Sequence, residues 1–181
     1  MSFEYAPRLF EILPEIEAWL IAKPPRAIRK KRMTEPAYAV FLWYHDSSSD
    51  GDFAPYCGAA LDSIRAECAK RYEDRADANF CIWCPQQNMD ELTVSGWFND
   101  GGLDSLCNEA YALMLAANKT GLPLMDEGEI LLPLRQMMHR VAQRLNSLDW
   151  SDVLPTTDDF MVVSTNTIGY GSVRQVAHFG F

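Results

Sequence analysis

The loop Asp46-Ser47-Ser48-Ser49-Asp50-Gly51-Asp52 puts oxygen-bearing side chains at relative positions 1, 3 and 5 and glycine at 6, as the opening of a calcium loop does. Its twelfth position is Cys57 where a bidentate Glu belongs, and the aromatic run before it reads as a strand where a helix is required. It is therefore read as an acidic hairpin loop, because Asp and Ser side chains bond nearby backbone and favour turns. Cys81-Ile82-Trp83-Cys84 has C-x-x-C spacing, but Phe80 to Cys84 reads as a strand, on which residues three apart face opposite ways. The two sulfurs then neither bridge nor share a metal, and no second close pair exists to complete a zinc site.

The histidines His45, His139 and His178 are scattered, with none in ligand spacing to another His or Cys. His45 precedes Asp46 at a strand end, and a carboxylate that fixes a tautomer makes a general base. Adjacent strand residues point apart, so that pairing is geometrically poor. No G-x-S-x-G, phosphate-binding P-loop or G-x-G-x-x-G is present, and Gly169-Tyr170-Gly171-Ser172 lacks a downstream Lys. The carboxylate pairs Asp126-Glu127 and Asp158-Asp159 fall at predicted element starts, where turns and helix dipoles account for them. No catalytic residue, metal ligand or cofactor is assigned.

The elements that would position these residues follow from periodicity. Leu9, Phe10, Leu13, Ile16 and Leu20 recur at helical spacing and predict an amphipathic helix over 3–21, ended by Lys23-Pro24-Pro25. A basic connector over 23–32 follows. Ala37 to Tyr44 is apolar on both alternating faces and reads as a central strand covered on both sides. A short strand at Tyr56 to Ala59 and a helix marked by Leu61, Ile64, Cys68 and Tyr72 come next, then strands at Phe80 to Cys84 and Leu92 to Phe98. Two helices carry the clearest stripes. One holds Leu103, Leu106, Cys107, Ala110, Leu113, Met114 and Ala117; the other holds Ile130, Leu134, Met137, Met138, Val141, Leu145 and Leu148, with Pro133 tolerable in its first turn. Pro155 to Asp159 reads as a turn before a last strand, Phe160 to Ser164, and the tail over 166–181 is assigned no element. This order predicts one α+β domain: a sheet-and-helix body over 37–165 with a mixed, mainly antiparallel sheet flanked by helices.

Length and charge bound the function. With 181 residues the chain suffices for one buried core. Sixteen Lys and Arg against 25 Asp and Glu leave a net charge of −9. Residues 23–32 hold six of those cations and no acid, so the remainder carries 10 minus 25, or −15. Such a body repels nucleic acid and anionic membrane and suits a cationic partner. The basic run has no interleaved aromatics for base stacking; it reads as a solvated or helix-extending connector, or as a contact for an acidic partner or a second copy. Five cysteines fit reduced thiols, no apolar run reaches membrane-helix length, and Met1-Ser2-Phe3-Glu4 is no signal peptide, so a soluble cytoplasmic protein is expected.

The N-terminal helix, the aromatic strand Ala37 to Tyr44, the segment Ile82-Trp83-Cys84-Pro85-Gln86-Gln87, the paired helices and the late Asp158-Asp159-Phe160-Met161-Val162-Val163 strand span most of the chain. In this arrangement the sequence resembles a family of small bacterial proteins of unassigned biochemical activity, some associated with polymorphic-toxin systems as immunity proteins. The resemblance supplies no catalytic residues. It implies a non-enzymatic protein-binding module that neutralises a cognate toxin by occluding its active site, and an acidic chain would be steered toward a basic toxin domain. Loops on a rigid scaffold commonly carry recognition. The expected binding residues are Asp46, Asp50 and Asp52 in one loop and Asn99, Asp100 and Asp104 at a second turn. The alternative is a small enzyme or ligand-binding domain using His45 and neighbouring carboxylates.

Overall fold

The apolar stripes become helices packed against a small sheet. A computed structural model describes residues 4–44, 53, 55–74, 82, 101–117 and 130–166. Helix α1 spans Pro7–Lys31, strand β1 Ala37–Tyr44, strand β2 Pro55–Leu61 and helix α2 Asp62–Arg71. Helix α3 spans Gly101–Ala116, helix α4 Leu132–Asn146 and strand β3 Thr156–Asn166. Among the described residues the strands run in the order β2-β1-β3, with β1 antiparallel to β2 and parallel to β3. The fold is α+β with a mixed sheet, as the order of elements predicts. The expected strand Leu92 to Phe98 lies outside the described residues.

Helix α1 does not stop at Pro24-Pro25. The basic segment expected as a connector is its last two turns. The buried positions Ile16, Leu20, Pro24 and Ile28 continue a stripe of every fourth residue through the prolines. An interior proline costs roughly 3 kcal/mol. Burying Ile28 and Pro24 offsets a comparable amount, at about 1.5–3 kcal/mol per fully buried aliphatic side chain. A helix ended at Lys23 would surrender that burial. Arg29, Lys30 and Lys31 complement the negative end of the helix dipole, and Arg32 closes the helix in the left-handed region at φ 51° and ψ 50°, its N–H donating to the Arg29 carbonyl at 3.1 Å.

The main core lies between the sheet and the helices. Leu9, Ile12 and Ile16 of α1, Cys107 and Met114 of α3, and Leu134, Met137 and Val141 of α4 pack in one cluster with Val40, Leu42 and Tyr44 of β1. The opposite sheet face is aromatic: Tyr38, Phe41 and Trp43 cluster with Ala60 and Val163, and Trp43 stacks on Tyr56 at 5.5 Å. Both faces of β1 are buried, as its unbroken apolar run requires. Cys57, Cys68 and Cys107 are buried and reduced. Among the described residues no helix is long and apolar enough to cross a membrane.

At the far side of the sheet, the Asn146 side chain does the work of a neighbouring strand. Its Oδ1 accepts from the Val162 N–H at 2.7 Å and its Nδ2 donates to the Val162 carbonyl at 2.8 Å. This ties the end of α4 to β3 and occupies backbone groups that an edge strand would leave open.

Candidate functional site

The most irregular point of the sheet is Tyr38. Between Ala37 and Ala39, β1 advances two residues while β2 advances one, from Leu61 to Ala60, and β3 advances five, from Thr156 to Met161. Both ladders break there. Tyr38 and Ala39 consequently lie on the same sheet face, which strict alternation forbids. The segment read as a turn, Thr156 to Asp159, is the strand's bulged start, so its turn-forming composition survives inside β3.

The bulge carries Asp159 outward to meet Arg65 of α2. Arg65 Nη1 bonds Asp159 Oδ2, its Nε donates to Asp62 Oδ1 at 2.9 Å, and its guanidinium stacks 5.0 Å from the centre of the Tyr38 ring. The Tyr38 hydroxyl donates to the Ile82 carbonyl at 2.8 Å. Arg65 holds the Asp159 carboxyl below the usual carboxylate range, helped by a bond from the Thr157 hydroxyl at 2.7 Å. The guanidinium is thus held by two carboxylates on its edge and a ring on its face, which leaves it poorly suited to an anionic ligand. Its geometry is that of a clamp joining α2, β1 and β3.

Of the expected binding residues, Asp104 alone is described. It stands exposed in the first turn of α3, between the buried Leu103 and Cys107 that seat the helix on the core. Burial, with Asp104 adding to it, pushes the Cys107 thiol up to about 12. Asp46, Asp50, Asp52, Asn99 and Asp100 lie outside the described residues, as do His45, His178, Cys81, Cys84, Asp126, Glu127 and the Gly169 to Ser172 segment. Ile82, the described member of the expected strand Phe80 to Cys84, has helical backbone; a short apolar run does not distinguish buried strand from buried helix. His139 pairs with Gln143 along α4 at 3.1 Å. Among the described residues, no group of three or more His, Cys, Asp or Glu could hold a metal ion.

Further along α3, Glu109 shares a cation with Glu11 of α1. Arg8 bonds Glu109 at 3.1 Å and Glu11 at 3.2 Å, so one cation serves two exposed acids and the trio keeps a negative charge. A cleft of about 670 Å³ opens between α1 and the end of α4, lined by Pro14, Ala18, Ile21, Arg144 and Leu148 among others. Its Ser147 hydroxyl donates to the Gln143 carbonyl, and Glu17 beside it is bonded by Arg140 at 2.8 Å. The cleft therefore offers an apolar surface with charged edges and no activated nucleophile. Sequence reasoning marked Asp104 but missed the Arg8 bridge and the Tyr38–Arg65 clamp, whose partners are separated by up to 101 positions.

No protein-family model, curated protein or solved structure matches this chain.

Proposed function

We propose that the protein is a cytoplasmic binding module that neutralises a basic protein partner by covering its working surface, the role of an immunity protein against a bacterial toxin. The observation that carries this reading is the exposed Asp104 carboxylate on a rigidly seated helix, in a body whose residues outside 23–32 carry −15. The buried Leu103 and Cys107 hold α3 in place, so Asp104 is presented with little loss of freedom on binding. Asp46, Asp50, Asp52, Asn99 and Asp100 are the other residues this reading assigns to recognition. Opposite charge raises the encounter rate with a basic cleft and disfavours acidic competitors. Occlusion requires no chemistry of the inhibitor's own.

The test is affinity capture of the tagged chain from its source cells at physiological salt, with mass spectrometry of the bound proteins. A basic protein recovered near one-to-one is expected, and its own activity should fall to background at one equivalent of this chain. A recovered partner whose activity is untouched by saturating chain overturns neutralisation by occlusion.

A further inference from the structure

The outward ridge of α1 reads Glu11, Glu15, Ala18, Ala22, Arg26, Arg29, at spacings of three or four, and every one of these residues is exposed. Residues so spaced share one helix face. The ridge is acidic at one end, small in the middle and basic at the other: Glu11 with Arg29 and Ala18 with Ala22 are centred on Leu20, and Glu15 with Arg26 between Leu20 and Ile21. Among the described residues Glu15, Arg26 and Arg29 form no ion pair, and Glu11 shares Arg8 with Glu109. Lys23 and Lys30 add to the basic half.

We infer that this ridge is a self-association surface on which a second copy of the chain docks antiparallel, across a two-fold axis near Leu20. Reversing the direction of one helix lays Glu11 and Glu15 against the partner's Arg29 and the partner's Arg26, and the symmetry repeats both pairs. The outer pairs stand eighteen residues apart, about 27 Å along the axis. The alanines at the centre let the backbones approach closely. Beside them the cleft wall supplies apolar area through Ile21 and Leu148, the latter 43% exposed. Charge selects this occupant over a polyanion: a nucleic acid long enough to cover Lys23 to Arg29 would also meet Glu11 and Glu15 on the same ridge. The chain's net −9 opposes pairing, but contacts at ion-pair distance outlast a repulsion screened over about 8 Å at physiological salt. The dimer does not depend on the proposed neutralised partner.

The experiment is sedimentation equilibrium of the full chain at roughly 0.15 M salt, where the Debye length is near 8 Å. It compares wild type, E11K/E15K, R26E/R29E and an equimolar mixture of the two variants. Wild type is expected at twice the monomer mass. Each variant alone places like charges together and should dissociate at least about tenfold more readily, since four surface pairs are lost and replaced by repulsion. The mixture restores every opposite-charge pair and should recover a dimer holding one copy of each variant. Circular dichroism checks that all forms keep wild-type helix content. A monomeric wild type overturns the proposal and leaves the basic half for another acidic occupant; dimeric single variants overturn the face, and a mixture that stays monomeric overturns the antiparallel pairing.

Discussion

The Arg65 guanidinium lies 5.0 Å from the centre of the Tyr38 ring, over the one residue of β1 where both strand ladders lose register. Replacing Arg65 with Met keeps an apolar stem but leaves Asp62 and Asp159 without their shared cation. The expected loss is about 1–2 kcal/mol in urea denaturation at neutral pH, combining a partly buried cation–π contact with charged hydrogen bonds. A loss under a few tenths would show that the clamp does not hold the bulge.

The same clamp sets a pH dependence. Arg65 depresses the Asp159 pKa in the folded state, so the stability this carboxylate contributes is present above its unfolded value near 3.9 and is lost as pH falls through the lower folded value. Wild type should exceed D159N in stability at pH 6, and the difference should close on acidification from about pH 5 downward. A difference that is constant from pH 6 to pH 2 contradicts the assignment.

Asn146 to Ala strips both backbone groups of Val162 of their partner. Unmet backbone groups cost about 1–3 kcal/mol. The denaturation midpoint should drop accordingly, and the Val162 amide should exchange faster with solvent than its neighbours on β3. Unchanged protection at Val162 would indicate that the amide finds another acceptor.

Helix α1 offers two stabilising changes. P25A restores a donor inside a helix that continues to Lys31, and R32G relieves a non-glycine residue of a left-handed conformation. Each should raise stability by about 0.5–1 kcal/mol or more. Were the chain truly to leave the helix at Lys23, P25A would bring no gain in helicity by circular dichroism.

The thiols report on the core. Burial pushes Cys57 and Cys107 up to about 12, and their exposures are 2% and 1%. Thiolate is the reactive form, so both should resist alkylation in the native state and react only as the protein unfolds. Peptide mapping after brief iodoacetamide treatment checks this; rapid native labelling at either residue would contradict the packing.

Much of this architecture is legible in local pattern. The stripes of α3 and α4 and the unbroken apolar run of β1 announce their burial because their periods are intrinsic to helix and strand. The length of α1 was hidden because Pro24-Pro25 is a strong local stop, and only the tertiary burial of Ile28 overrides it. Asp158-Asp159 reads as turn-forming, and that tendency is real, but the bulge it makes is incorporated into β3. The clamp left no local trace. Arg65 and Asp159 are 94 positions apart, and a ring contact with Tyr38 depends on a bulge that no periodicity encodes. Asp104 reads in the sequence as part of a turn; its place in the first turn of α3 follows from the burial of Leu103 and Cys107.

Recognition of a basic protein by acidic side chains is tested by a paired capture from source cells. Wild-type chain and a D46N/D50N/D52N/D100N/D104N variant, both tagged and both verified as folded by circular dichroism, are used at physiological salt. A basic protein is expected near one-to-one on wild type, released by raised salt and absent from the variant. The same proteins bound equally by both chains, or no stoichiometric partner on wild type, would contradict it.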